Sequence, residues 1–159
     1  MKKRIFWTAL TGLYILFIFS NSLKTSDLSS ADSGHVLLLV QNLLTSTGLE
    51  GKWLSEHIIR KAGHFTEYTG LGLILYQCVR SYEFGAERRL YLHGLAGFMV
   101  PFFDETIQLF VAGRSGQISD VWLDCSGVAA GSLIAALLIF ISVRMEHSYG
   151  KKLPDHNGI

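Results

Sequence analysis

The run VWLDCSGVAAGSLIAALLIFISV, Val121 to Val143, contains one charged residue, Asp124, and is otherwise apolar or small. A helix needs roughly 20 such residues to cross the hydrocarbon of a bilayer, so this segment sets the class of fold. Three further stretches have comparable length: IFWTALTGLYILFIF from Ile5 to Phe19, extending to about Leu23; AGHFTEYTGLGLILYQCV from Ala62 to Val79; and LYLHGLAGFMVPFFDETIQLF from Leu90 to Phe110. Composition agrees. The chain is 49% hydrophobic and 17% charged, against about 25% charged for soluble domains, and its mean hydropathy is +0.31. A net charge of +1 leaves no basic face to track phosphates, which excludes a nucleic-acid partner. The expectation is an all-α membrane protein with four transmembrane helices, about 5–23, 62–79, 90–110 and 121–143. Residues 1–147 form the membrane domain and 148–159 a disordered cytoplasmic tail.

Basic residues orient the spans. Lys2, Lys3 and Arg4 precede the first, Arg80, Arg88 and Arg89 join the second to the third, and Arg144, Lys151 and Lys152 follow the fourth. The opposite side carries Lys24, Lys52, Arg60, Lys61 and Arg114 over a much longer stretch. The positive-inside rule then gives a multi-pass protein of the cell membrane with both termini cytoplasmic. The opening KKR and its apolar run also match a signal peptide, with Ser20-Asn21-Ser22 as a small-x-small cleavage site.

Between the first two spans, KTSDLSSADSG reads as irregular. HVLLLVQNLLTSTG, His35 to Gly48, reads as a short interfacial helix ending at glycine. KWLSEHIIRKAGHF extends the second helix outward, and Trp53 and Trp122 read as interfacial anchors. Cys78 and Cys125 fall at opposite membrane faces, too far apart for a disulfide.

The ionisable residues inside the spans share one depth. His64, Glu67 and Tyr68 open the second span on a single helix face. Asp104, Glu105 and Gln108 lie about 20 to 27 Å along the third, at a rise of 1.5 Å per residue. The connector VAGRSGQISD brings Arg114, Ser119 and Asp120 to the same level, and Asp124 follows one turn later. Charges at such depth cost at least ~2.5–3.5 kcal/mol near the bilayer centre unless they pair or line a polar cavity. Arg60, Lys61 and Arg114 are the available positive partners. Pro101, which cannot donate to the carbonyl of Gly97, is expected to bend the third helix just before the acidic pair. Gly94, Gly97, Gly127 and Gly131 permit close helix approach. Taken singly, each polar residue has a plain structural reading: His64 as an interfacial histidine, Glu67 with Lys61 or Asp120 with Arg114 as ion pairs. Their convergence is what points to a site.

KAGHFTEYTGLGLIL, DETIQLFVAGRSGQISDVWLDCSGVAAG and the opening FIFSNSLKTS resemble the VanZ-like membrane proteins. The matching residues are Lys61, His64 and Glu67; Asp104, Glu105 and Gln108; Gly113, Arg114, Ser119 and Asp120; and Gly127 and Gly131. Asp124 departs from the pattern, where the family usually has asparagine. The resemblance implies a small helical domain of the bacterial cell envelope, and a link to glycopeptide resistance, teicoplanin in particular, associated with one member.

Two function classes fit these residues. One is a binding protein whose outward-facing polar site takes a membrane lipid, a cell-wall precursor or the acyl chain of a lipoglycopeptide. Its ligand-binding residues would be Lys61, His64, Glu67, Asp104, Glu105, Gln108, Arg114, Ser119, Asp120 and Asp124. The other is a membrane enzyme acting on a lipid-linked substrate, with His64, Glu67, Asp104 and Glu105 catalytic and Arg114 facing developing negative charge. A metal-dependent version would recruit His64, Asp104, Glu105 and Asp120. Ser115 and Ser119 lie near but carry no nucleophile motif.

Overall fold

The computed structural model describes residues 1–49, 51 and 53–150. The described residues form five helices and no strand: α1 Lys2–Ser22, α2 Ser26–Ser46, α3 Glu56–Arg80, α4 Ala86–Gln108 and α5 Ile118–Gly150. The four long apolar stretches are therefore all helical. α1 and α5 are the two helices both long and apolar enough to cross a membrane. α3 and α4 have the length, at 25 and 23 residues. Their embedded charges keep them below the same apolarity, so four crossings do not follow from length and composition. α5 continues through 148–150, and the rest of the expected tail lies outside the described residues.

The interfacial helix is longer than its apolar half suggested. DLSSADSG is not irregular: α2 begins at Ser26. Thr25 is extended at its N-cap, Asp27 lies in the first turn where the helix dipole favours an acid, and the Ser26 N–H is satisfied by Ala112 O at 3.2 Å. The C-terminus follows the expectation. Gly48 has φ +79°, Gly48 N–H donates to Thr45 O and Leu49 N–H to Leu44 O, the paired bonds of a Schellman cap. α3 starts where Ser55 Oγ accepts from Ile58 N–H.

α3 packs most extensively against α5, and glycines make this possible. A Cβ on Gly131 would overlap the Thr69 carbonyl, one on Gly72 the Val128 carbonyl, and one on Gly127 would lie 2.7 Å from Phe65 O. A Cβ on Gly97 would lie 3.1 Å from Val128 Cγ1, whereas one on Gly94 would meet open space, so Gly94 brings no helix close. α4 is unbroken through Pro101, and the Gly97 carbonyl left without its helical N–H accepts from the Cys125 thiol at 3.7 Å. Both cysteines are free.

Ile18, Tyr68, Leu71, Leu75, Val100 and Val128 form the apolar core. The other buried residues include Ser22, Asp104, Glu105, Gln108 and Asp124. The exterior is apolar instead: Phe6, Leu13 and Leu16 on α1, Phe102 and Phe103 on α4, and Leu133, Leu137 and Phe140 on α5 are exposed. Acids inside and leucine outside reverse the arrangement water imposes and suit a hydrocarbon surround. Arg4 bonds Ser81 O at 3.1 Å and pairs with Glu83, so the start of α1 and the α3–α4 turn share one end of the bundle.

Candidate functional site

The site sits near the other end, where the last turns of α1 and α4 meet the first turns of α3 and α5. One ligand atom each from His64, Asp104, Glu105 and Asp124 lies within 4.8 Å of the other three. The close α3–α5 crossing brings His64 to Asp124, with Nδ1 3.5 Å from Oδ1 but outside hydrogen-bonding geometry. Asp104, Glu105 and Asp124 are 1%, 4% and 0% exposed. Two like charges 4 Å apart repel by ~4 kcal/mol at an effective dielectric near 20, so three carboxylates in this space need compensation.

Part of it comes from neutral donors. Ser22 Oγ donates to Asp104 Oδ1, and Gln108 Nε2 donates to Glu105 Oε1 at 3.0 Å and more weakly to Asp104 Oδ2 at 3.4 Å. The Gln117 N–H reaches back from the α4–α5 connector to Glu105 Oε2 at 2.9 Å. Asp124 has no such help: neither of its oxygens finds a hydrogen-bond partner. Tyr68 Oη is buried nearby, within range of the Asp104 charge yet also outside hydrogen-bonding geometry.

The expected ion pairs are only partly realised. Lys61 Nζ meets Asp120 Oδ1 at 3.2 Å, whereas the Arg114–Asp120 and Lys61–Glu67 pairs are absent among the described residues. Glu67 Oε1 instead accepts from Asn21 Nδ2 at 2.8 Å. Ser119 is exposed, bonded to Gln117 Oε1 and Asp120 Oδ1, and stays outside the cluster. Asp120 belongs to the rim. The metal set expected from sequence therefore changes at one position: Asp124, one turn deeper, takes the place given to Asp120, because Lys61 already engages Asp120.

Asn21 and Ser22 were missed as site residues. Their signal was depth: the end of the first span lies at the level of His64 and Asp104. α1 packs in the bundle and places Asn21 against the half-buried Glu67 and Ser22 against the buried Asp104.

Among the described residues, two cavities adjoin the cluster. The larger, about 650 Å³, runs between α1, α2 and α3. Phe17, Val36, Val40 and Ile59 line it together with Arg60, His64, Glu67 and Arg114. The smaller, about 50 Å³, reaches His64, Gln108, Arg60 and Arg114. Arg114 is half-buried, with no carboxylate at salt-bridge distance among the described residues. Burial, and then the neighbouring Arg60 charge, hold its pKa below the ordinary arginine value. The positive φ of Gly113, +73°, forms the turn that carries Arg114 inward.

A family model described as VanZ/LLP1 matches residues 6–140. No curated protein and no solved structure matches the chain.

Proposed function

The chain belongs to the VanZ/LLP1 family of membrane proteins, and from that premise we propose that it binds an anionic amphiphile at the outer face of the bacterial cell membrane. In this reading α1, α3, α4 and α5 all cross, both termini are cytoplasmic, and the charges of α3 and α4 are tolerated because they face one another rather than lipid. The observation that carries the proposal is the larger cavity. Its walls grade from Phe17, Val36 and Val40 to Arg60 and Arg114, so one ligand can lay an acyl or polyprenyl chain on the first set and a phosphate on the second.

The test uses purified protein in detergent and native mass spectrometry, with a polyprenyl phosphate, phosphatidylglycerol and phosphatidylcholine offered in competition. The phosphate with a single chain and phosphatidylglycerol should be retained over the zwitterionic lipid. Arg114→Ala should weaken that retention about tenfold, the worth of one charge-assisted hydrogen bond near 1.5 kcal/mol. Equal retention of all three lipids, or an Arg114→Ala protein that binds as the parent does, sinks the reading. Production in a susceptible host should raise teicoplanin tolerance, and Arg114→Ala should remove the increase.

A second reading rests on His64 lining both cavities and touching the acidic cluster. It makes the protein an enzyme on a lipid-linked substrate, with His64 as acid or base and Glu67, Asp104 and Glu105 orienting it. His64→Ala would then abolish turnover while leaving lipid retention near the parental level. Retention lost together with turnover, or no turnover of a polyprenyl phosphate by the parent, leaves binding as the role.

A further inference from the structure

We propose that His64, Asp104, Glu105 and Asp124 constitute a divalent-cation site. Ions bound at about 2.1 Å hold their ligand atoms about 3.0 to 4.2 Å apart, from neighbouring to opposite positions of an octahedron. The four ligand atoms here already lie within 4.8 Å of one another, so side-chain adjustments of the order of an ångström, without a shift of the helices, would bring them to one ion. They come from three separate helices, which packing has brought together at one point.

Orphaned groups supply the second, independent observation. Asp124 is fully buried and, among the described residues, neither of its oxygens makes a hydrogen bond; it faces His64 Nδ1 at 3.5 Å, itself without a hydrogen bond, so Oδ2 has no partner of either kind. A buried carboxylate without donors is costly unless a cation meets it. By contrast, Ser22, Gln108 and the Gln117 N–H fix Asp104 and Glu105. Each of those carboxylates keeps acceptor capacity for an ion, which is how outer hydrogen bonds orient metal ligands. Lys61 pairs with Asp120, and Arg114, though within range of the Asp104 and Glu105 charges, is not at salt-bridge distance of any carboxylate among the described residues. The small cavity borders the cluster at His64 and Gln108, with Asp120, Arg60 and Arg114 on its other walls.

Ligand chemistry narrows the ion. Three carboxylates and one imidazole, with the Cys125 thiol turned to Gly97 O, suit Mn2+ better than a thiolate-seeking ion. The imidazole favours Mn2+ over Ca2+ or Mg2+. The site does not depend on the amphiphile reading, which rests on Arg60, Arg114 and the apolar groove.

The experiment titrates Mn2+ alone into chelator-stripped, detergent-purified full-length protein, following free Mn2+ by electron paramagnetic resonance. One ion per chain should bind saturably. Asp124→Asn and Asp104→Asn should each weaken binding at least tenfold, while Glu83→Gln, at the opposite end of the bundle, leaves it unchanged. Melting provides a second readout. Mn2+ should raise the parental melting temperature by several degrees and leave that of Asp124→Asn unmoved. Without metal, Asp124→Asn should melt at or above the parent, since it removes one of three crowded acids. Absence of saturable Mn2+ binding to the parent overturns the site whether or not the variants fold. Binding that survives both substitutions overturns it as well, by placing the ion elsewhere on the protein.

Discussion

Hydrogen bonds decide what each acid contributes, and they separate two kinds of polar contact in this bundle. Ser22 is 3% exposed and donates to a carboxylate that is equally hidden. Ser22→Ala removes the donor and leaves Asp104 Oδ1 dry, a loss of about 1–3 kcal/mol. Lys61 and Asp120 pair at the rim, with side chains 36% and 17% exposed, where water competes. Lys61→Met should cost less than ~1 kcal/mol. Denaturant titration of both variants in mixed micelles checks the order, and a larger loss for Lys61→Met would contradict it. The sequence showed that His64, Asp104, Glu105 and Asp124 share a depth, because a fixed rise per residue converts position into height. It did not show the partners. Those depend on how each helix is rotated about its axis, which is why Asp120 was assigned to Arg114 and the cluster, and why Asn21 and Ser22 were overlooked.

Helix packing turns on which glycines face a neighbour. Gly131 lies against the Thr69 carbonyl and Gly94 against nothing, although both are glycines in apolar helices. Alanine at Gly131 must push backbone from backbone at the crossing that joins His64 to Asp124. The cost should fall in the 1–3 kcal/mol range of overpacking. Alanine at Gly94 meets no atom and should stabilise by about 0.5–1 kcal/mol through helix propensity. Thermal melting of the two single variants distinguishes them by sign. The Gly127-Val-Ala-Ala-Gly131 spacing made close approach legible, whereas Gly94 had only its residue type to recommend it. α2 shows the opposite failure. Ser and Asp compete for their own backbone and usually mark loops, so Ser26 to Gly34 read as irregular. Packing beside α3 and the tie from Ser26 to Ala112 override that preference, information held in residues far along the chain.

At the scale of the whole molecule, an apolar exterior surrounds an acidic interior, and the two ends differ. One end gathers Arg4, Arg80, Glu83 and Arg88 about the α3–α4 turn, and the other holds the cluster and both cavities. The basic end belongs in the cytoplasm if Lys and Arg set orientation, which places the cluster toward the outside. Labelling decides this. Cys78→Ala with Cys125→Ser gives a background free of thiols, serine keeping a donor for Gly97 O. Single cysteines at His35 and Ala86 then report the two ends. An impermeant maleimide added to intact cells should label position 35 and reach position 86 only after the membrane is opened. The reverse pattern would turn the bundle over and place the cavity of Arg60 and Arg114 in the cytoplasm. Labelling of both positions from outside would mean that α3 does not cross. Its embedded charges would then be satisfied at the membrane surface, and α1 and α5 would remain the two apolar helices able to anchor the chain.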